Sequence, residues 1–192
     1  MSDISVTIDL STAEAKADRA RALLRDLRAR HDLARFEFTR QVRIAPHEIP
    51  HSHPVLTLNT FVIDDEAAFL GTYLHEQIHW YLTDHRDREV ARAVATLRQR
   101  YPDVPSPESQ NARDTYSIYL HLVVNWLEIE ALAHLLGRSA ALHLYEAPRV
   151  YPWIYATAIR DRQPIGALLT ETGIAPMPDA RSLSKCPGTT SP

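Results

Sequence analysis

The segment YLHEQIHWYL, residues 73–82, holds two histidines four positions apart, with a glutamate directly after the first. Residues i and i+4 of an α-helix lie on one face about 6 Å apart, so His75 and His79 can reach one ion. Glu76 lies at the edge of that face, where it can take a proton from metal-bound water. The apolar flanks predict burial, which is costly for unliganded polar groups. The pattern therefore predicts a divalent metal site, with Zn²⁺ as the ion. Ordinary histidines with ordinary hydrogen-bond partners are the alternative.

A catalytic zinc site takes three protein ligands and leaves one position for water. An apolar helix predicted over 115–136 offers a polar stripe of His121, Asn125 and Glu128, which lie within about 60° of one another at helical periodicity. His121 and Glu128 are about 10 Å apart along the axis, so one is expected to bind the ion. The other, with Asn125, is expected to orient a ligand imidazole. We favour His121 as the ligand over Glu128, and a buried hydrogen-bonded network without an ion is also open.

Two further groups of residues are weaker candidates. Tyr151 and Tyr155 lie in the aromatic stretch VYPWIYATAIRD, and Tyr155 is the second catalytic candidate. A tyrosine hydroxyl can stabilise an oxyanion opposite the metal, while aromatic core packing is the alternative. His47, His51 and His53 form the tract HEIPHSH, which is typical of either a metal-binding segment or a polar loop.

These residues must be positioned by a fold, and alternation of polar and apolar residues predicts three strands, at 5–10, 35–44 and 55–61. A capping box of Ser11 and Glu14 predicts a helix to about His31. The metal-binding helix is expected to follow Asp65 and end near 83, and further helices are predicted at 86–101, 115–136, 139–147, 153–161 and 165–172. The expected fold class is α+β, with a small N-terminal β-sheet packed on a mainly helical domain. Residues 1–174 are expected to form one domain, and the Pro/Ser/Thr-rich segment 175–192 a disordered tail.

The composition indicates an ordinary soluble globular chain, with 45% hydrophobic and 23% charged residues among 192. A net charge of −3 gives no reason to expect a nucleic-acid or anionic-membrane partner. No apolar run approaches the roughly 18 residues that span a bilayer, and the first ten residues do not resemble a secretory signal. Cys186 is the single cysteine, so we expect a reduced, cytoplasmic setting. The expected partner is a peptide or small-molecule substrate, and the oligomeric state is not indicated.

The HEQIH motif lies on a predicted helix, after a predicted strand and before a helix with a third candidate ligand. In this it resembles the zincin superfamily of metallopeptidases, over residues 55–137. The resemblance implies that His75 and His79 bind zinc and that Glu76 is the general base. It also implies that strand 55–61 lies at a sheet edge and holds an extended substrate beside the metal. The N-E-x-x-S-D segment and the H-x-x-G-x-x-H continuation of two zincin branches are both missing, so no branch is identified.

The predicted function is therefore a zinc-dependent hydrolase, most simply a metallopeptidase, in which metal-activated water attacks a carbonyl and Glu76 is the general base. A metal-dependent enzyme acting on a small non-peptide molecule is the first alternative. A non-catalytic domain that binds metal for stability is the second. A di-iron helical protein is disfavoured because it needs a second E-x-x-H pair, and Glu130 and His134 are four positions apart rather than three.

Overall fold

The protein is described by a computed structural model that covers residues 4–8, 14–148 and 150–183. Within these ranges the strands are β1 (Ser5–Ile8), β2 (Gln41–Ile44) and β3 (Leu56–Leu58). The helices are α1 (Glu14–Arg30), α2 (Glu66–His85), α3 (Asp87–Arg100), α4 (Thr115–Leu136), α5 (Arg138–His143), α6 (Pro152–Arg160), α7 (Arg162–Thr172) and α8 (Ala180–Leu183). The α+β prediction, a small N-terminal sheet with a mainly helical remainder, is confirmed.

The sheet has three parallel strands in the order β1-β2-β3. Parallel neighbours need a crossover connection, and α1 supplies it between β1 and β2. Its buried residues Ala17, Ala20, Leu24 and Leu27 recur at helical spacing and form the face that packs on the sheet. All three residues of β3 are buried, and this strand lies at the sheet edge that faces α2.

The segment between α1 and β2 differs from the strand predicted over 35–44. Residues Leu33–Phe36 form a 3-10 turn, and the strand begins only at Gln41. The reason is a side chain from α2: the Gln77 amide accepts a hydrogen bond from Thr39 N–H (2.9 Å) and donates one to Thr39 C=O (3.0 Å). These backbone groups are thus satisfied without a strand partner.

The helical half is organised around α4, which is buried along most of its length and contacts α2, α3, α5, α6 and α7. Both α2 and α4 begin at an aspartate cap. Asp65 accepts from Ala68 N–H and Asp114 accepts from Ser117 N–H. Gly137 caps the C-terminus of α4 with a φ of +86°, a conformation that residues with a side chain rarely adopt. The packing of α2 against α4 brings together the two helices that carry the predicted site.

Residues 175–183, which the sequence predicts to be disordered, pack on the rest of the fold. Ala175, Met177 and Ala180 are buried, and Arg181 forms an ion pair with Asp32. The chain turns back towards the core after α7, where the backbone N–H groups of Ile174 and Ala175 both donate to the Leu169 carbonyl.

Three sequence predictions lie wholly or partly outside the described residues: the last two positions of the strand predicted over 5–10, the side-chain capping box at the start of α1, and the tail from 184, which includes Cys186. Among the helices within the described ranges, none combines the length and apolar character needed to cross a bilayer.

Candidate metal centre

Three imidazoles converge where α2 packs on α4. His75 and His79 come from α2 and His121 from α4, and one nitrogen from each lies within 4.8 Å of the other two. The ring centroids are 5.0, 5.2 and 5.5 Å apart, so the rings form a nearly equilateral triangle. His121, the third member, comes from the polar stripe of α4, where the sequence predicted the third ligand.

The donor set fits zinc. Two nitrogens bound to one Zn²⁺ at 2.0–2.1 Å and a tetrahedral angle lie about 3.3–3.4 Å apart. The Nε2 atoms of His75 and His79 are 3.3 Å apart. All three nitrogens lie within 4.8 Å of one another, so no pair exceeds the tetrahedral separation by more than about 1.5 Å. Three imidazole donors leave a fourth position for another ligand, which is typical of catalytic rather than structural zinc sites.

The second nitrogen of two of these rings is held by a protein acceptor. His75 Nδ1 donates to Glu128 Oε2 (2.9 Å), and His121 Nδ1 donates to the Ser117 carbonyl (2.7 Å). Each bond fixes the tautomer whose Nε2 lone pair is free for an ion. The structure thus brings His121 into the cluster and pairs Glu128 with the Nδ1 side of His75.

Asn125 does not share that role. Its side chain is 0% exposed, and neither its amide nitrogen nor its oxygen has a hydrogen-bond partner among the described residues. The polar stripe of α4 therefore splits into three different environments: a ring in the cluster, an unpaired amide, and a carboxylate with several donors.

Burial and the Glu128 carboxylate act on the pKa values of the three histidines. Burial lowers the pKa of His79 well below its usual range, and lowers that of His121 to about 3. Burial acts in the same direction on His75, but the hydrogen bond and charge of Glu128 outweigh it and raise the His75 pKa. His79 and His121 are thus neutral at neutral pH, which is the form that binds metal.

Glu76 is 6% exposed, and its carboxylate makes no hydrogen bond to another described side chain. Burial raises the pKa of its carboxyl group, and the nearby His75 and His51 oppose that rise. A carboxylate whose proton affinity is increased in this way is suited to general-base catalysis. A buried carboxylate with a raised pKa therefore lies next to His75 in the chain and interacts with its ring.

The two candidate tyrosines lie on different sides of the centre. The Tyr155 hydroxyl donates to Glu128 Oε2 (2.9 Å), the oxygen that also accepts from His75 Nδ1, so it is engaged away from the Nε2 atom of that ring. Tyr151 stacks on His121, with ring centroids 4.3 Å apart, and runs parallel to His75 at 6.0 Å. Burial, with Glu76 and Glu128, raises the pKa of Tyr151 to about 12, so its hydroxyl remains a proton donor. Sequence spacing could not separate the two, because they are four residues apart on one stretch.

The HEIPHSH tract forms a wall beside the centre. His51 pairs with Thr57 of β3 through both backbone groups (3.1 and 2.8 Å), so the outer edge of β3 is already occupied there. His53 stacks on Trp80 at 4.1 Å, and Trp80 Nε1 donates to the Ser52 carbonyl (2.8 Å). His47 is exposed. The edge position of β3 agrees with the strand that the zincin resemblance implies, but the chain's own loop takes the hydrogen bonds that an extended substrate would need.

Sequence reasoning missed three residues of the centre: Ser117, Tyr145 and Gly71. Tyr145 donates a short hydrogen bond to Glu128 Oε1. Gly71, one turn before His75, lies directly under that contact. The glycine in the middle of an otherwise helix-favouring segment was the one available signal.

No protein-family model, curated protein or solved structure matches the chain.

Proposed function

We propose that the protein is a zinc-dependent hydrolase, in its simplest form a metallopeptidase. One observation carries the proposal: three imidazole nitrogens within 4.8 Å of one another lie beside a buried carboxylate, Glu76, in the HExxH arrangement. A purely structural zinc site would not require that carboxylate, and an ordinary buried network would pair it with donors.

Each residue has a role that follows from its contacts. His75, His79 and His121 would hold the ion, with Glu128 and Ser117 fixing the rings of the first and last. Bound Zn²⁺ would polarise the substrate carbonyl and lower the pKa of a coordinated water towards about 7.

The remaining groups handle protons and charge. Glu76 takes a proton from the attacking water at its carboxylate and passes it to the leaving group. The Tyr151 ring stacks on His121. Its hydroxyl can donate to the substrate oxygen as negative charge develops there. Tyr155 takes no part in this step, because its hydroxyl is engaged with Glu128.

A second candidate substrate class is favoured by the HEIPHSH wall. An extended peptide binds a sheet edge through main-chain hydrogen bonds. At Thr57 those bonds are made by His51. We therefore include a small amide, ester or lactone as a substrate that needs no strand pairing. A cytoplasmic setting also remains a proposal, supported by the single cysteine in 192 residues.

The test is to compare wild type, Glu76→Gln and His75→Ala for zinc content and for hydrolysis of a panel of peptides, amides, esters and lactones. We expect Glu76→Gln to keep its zinc and lose about 10²–10⁴-fold in turnover, as removal of a general base does. His75→Ala should lose the metal. The exposed Glu108→Gln is the matched control and should change neither. Wild-type turnover in Glu76→Gln would refute the mechanism, and zinc-bearing wild type without hydrolysis of any class would favour a non-catalytic metal domain.

A further inference from the structure

The orienting carboxylate of the centre is held by a pair of stacked tyrosines. Glu128 is 2% exposed, and it receives a hydroxyl from Tyr145 at Oε1 and from Tyr155 at Oε2. Oε2 also receives His75 Nδ1. The two tyrosine rings lie 4.0 Å apart and 10° from parallel, so each fixes the position of the other. Three donors thus replace the water that this carboxylate loses on burial.

The donors come from different elements of the chain. Tyr145 follows α5 and Tyr155 lies on α6, while Glu128 lies on α4 and His75 on α2. The direction in which His75 presents Nε2 therefore depends on segments beyond the helix pair that carries the ligands. Both hydroxyls remain protonated, because burial, reinforced by the charge of Glu128, raises the pKa of Tyr145 and Tyr155 well above the usual range.

Gly71 provides the space in which this contact forms. A Cβ atom added at Gly71 would lie 2.7 Å from the Tyr145 hydroxyl and 3.2 Å from Glu128 Oε1, the two partners of one hydrogen bond. Gly71 is in the interior of α2, where alanine favours the helix more than glycine does. The glycine therefore opposes local helix propensity, and it admits the hydroxyl and the carboxylate against the helix backbone one turn before His75.

We propose that Gly71, Tyr145 and Tyr155 are positioning residues of the metal centre: they hold Glu128 so that His75 keeps Nε2 directed at the ion. The proposal rests on the metal site of the proposed function, and it adds a second layer that reaches the ion only through Glu128 and His75. Changes to such outer partners typically weaken metal binding 10–100-fold.

The experiment measures zinc affinity by competition with a chromophoric chelator, together with the visible spectrum of the Co²⁺-loaded protein. The variants are Tyr145→Phe, Tyr155→Phe and Gly71→Ala. We expect each to bind zinc at least about 10-fold more weakly than wild type and to change the Co²⁺ bands. The two Tyr→Phe variants remove a single oxygen atom, so they keep the proposal testable if Gly71→Ala does not fold.

Two matched controls separate positioning from general loss of stability. Tyr119→Phe removes another buried tyrosine hydroxyl bond, to the Tyr101 carbonyl (2.7 Å). Gly166→Ala introduces a methyl 2.6 Å from the Trp126 ring in another helix. Both should lower thermal stability and leave zinc affinity and the Co²⁺ spectrum unchanged. A Gly71→Ala protein that is more stable than wild type, with the same zinc affinity, would show that no such contact is blocked and would overturn the proposal.

A second measurement, ¹⁵N NMR of the metal-free protein, separates failure of this proposal from failure of the proposed function. At a pH where His75 is neutral, its proton should be on Nδ1 in wild type and distribute over both nitrogens in Tyr145→Phe and Tyr155→Phe. If wild type binds no zinc, the proposed function fails and the tautomer result decides the positioning claim. Variants that match wild type in zinc affinity, or in the tautomer where zinc does not bind, overturn that claim.

Discussion

Lowering the pH should destabilise the metal-free protein through His121. An unfolded histidine has a pKa of about 6.5. Burial lowers the pKa of folded His121 to about 3. Below the unfolded value the unfolded chain binds the extra proton, so stability falls as the pH falls, by up to about 1.4 kcal/mol per pH unit until the folded pKa is reached. Between roughly pH 7 and pH 5 the loss from His121 alone is about 2 kcal/mol.

The other two imidazoles act in opposite directions. His79, whose pKa is also lowered by burial, adds a loss in the same window below about pH 6.5. His75 has a raised pKa, so its contribution to stability is fully present below the unfolded pKa and is lost as the pH rises through the folded value. The effect of His121 must therefore be isolated with a variant.

His121→Asn is that variant, because asparagine does not titrate and its amide can replace the Nδ1–H bond to Ser117 C=O. Urea unfolding followed by circular dichroism, in the presence of EDTA, gives the free energy of unfolding at each pH. Wild type should lose about 2 kcal/mol more than His121→Asn between about pH 7 and pH 5. His134→Asn, at an exposed position on the same helix, should lose as much as wild type. An equal loss in wild type and His121→Asn would refute the claim that this ring is buried and neutral.

Three further perturbations test other parts of the structure. Zinc at about 100 times its dissociation constant should add about 2.7 kcal/mol to the free energy of unfolding. In a chain of this size that gain raises the melting temperature, measured by calorimetry, by about 5–11 °C. His79→Ala should abolish the shift. Arg28→Met should lower the free energy of unfolding, measured with urea, by about 3 kcal/mol, because it removes the bidentate partner of the Glu37 carboxylate, which is 5% exposed. Arg30→Met breaks an exposed ion pair with Glu66 and should lower it by less than about 1 kcal/mol. Equal losses would contradict the difference in burial. Trp80→Phe keeps an aromatic ring but loses the bond to the loop carbonyl, so hydrogen exchange at the outer edge of β3 should accelerate; unchanged exchange would show that the wall does not depend on it.

The sequence correctly predicted those features that depend only on residues close together in the chain. The bounds of α4 agree with the prediction because one capping aspartate, a continuous apolar run and a terminal glycine mark them within the sequence itself. Helix geometry alone also places His75 and His79 on one face of α2, because they are four positions apart. These elements needed no knowledge of what packs against them.

Other predictions failed or stayed open because they depend on contacts between distant segments. The strand predicted over 35–44 is shortened by the Gln77 amide, 38 positions from Thr39. The sequence could state that His121 and Glu128 are too far apart to share one ion, but the choice between them required the position of α2 against α4. Tyr155, predicted to stabilise an oxyanion, instead donates its hydroxyl to Glu128, 27 positions away.

The expected stabilisation by zinc has a local physical cause. With Nδ1 of His75 and of His121 donating to protein acceptors, the Nε2 lone pairs of both rings are left inside the cluster. His79 Nε2, 3.3 Å from His75 Nε2, can supply a hydrogen to one of them at most, whereas a cation satisfies all three nitrogens at once. The apolar packing of α2 on α4 holds the rings together despite this cost. A fold that keeps such a local conflict in its interior is typical of a functional site. Binding of the Zn²⁺ ion that the HEQIH spacing predicts would relieve the conflict.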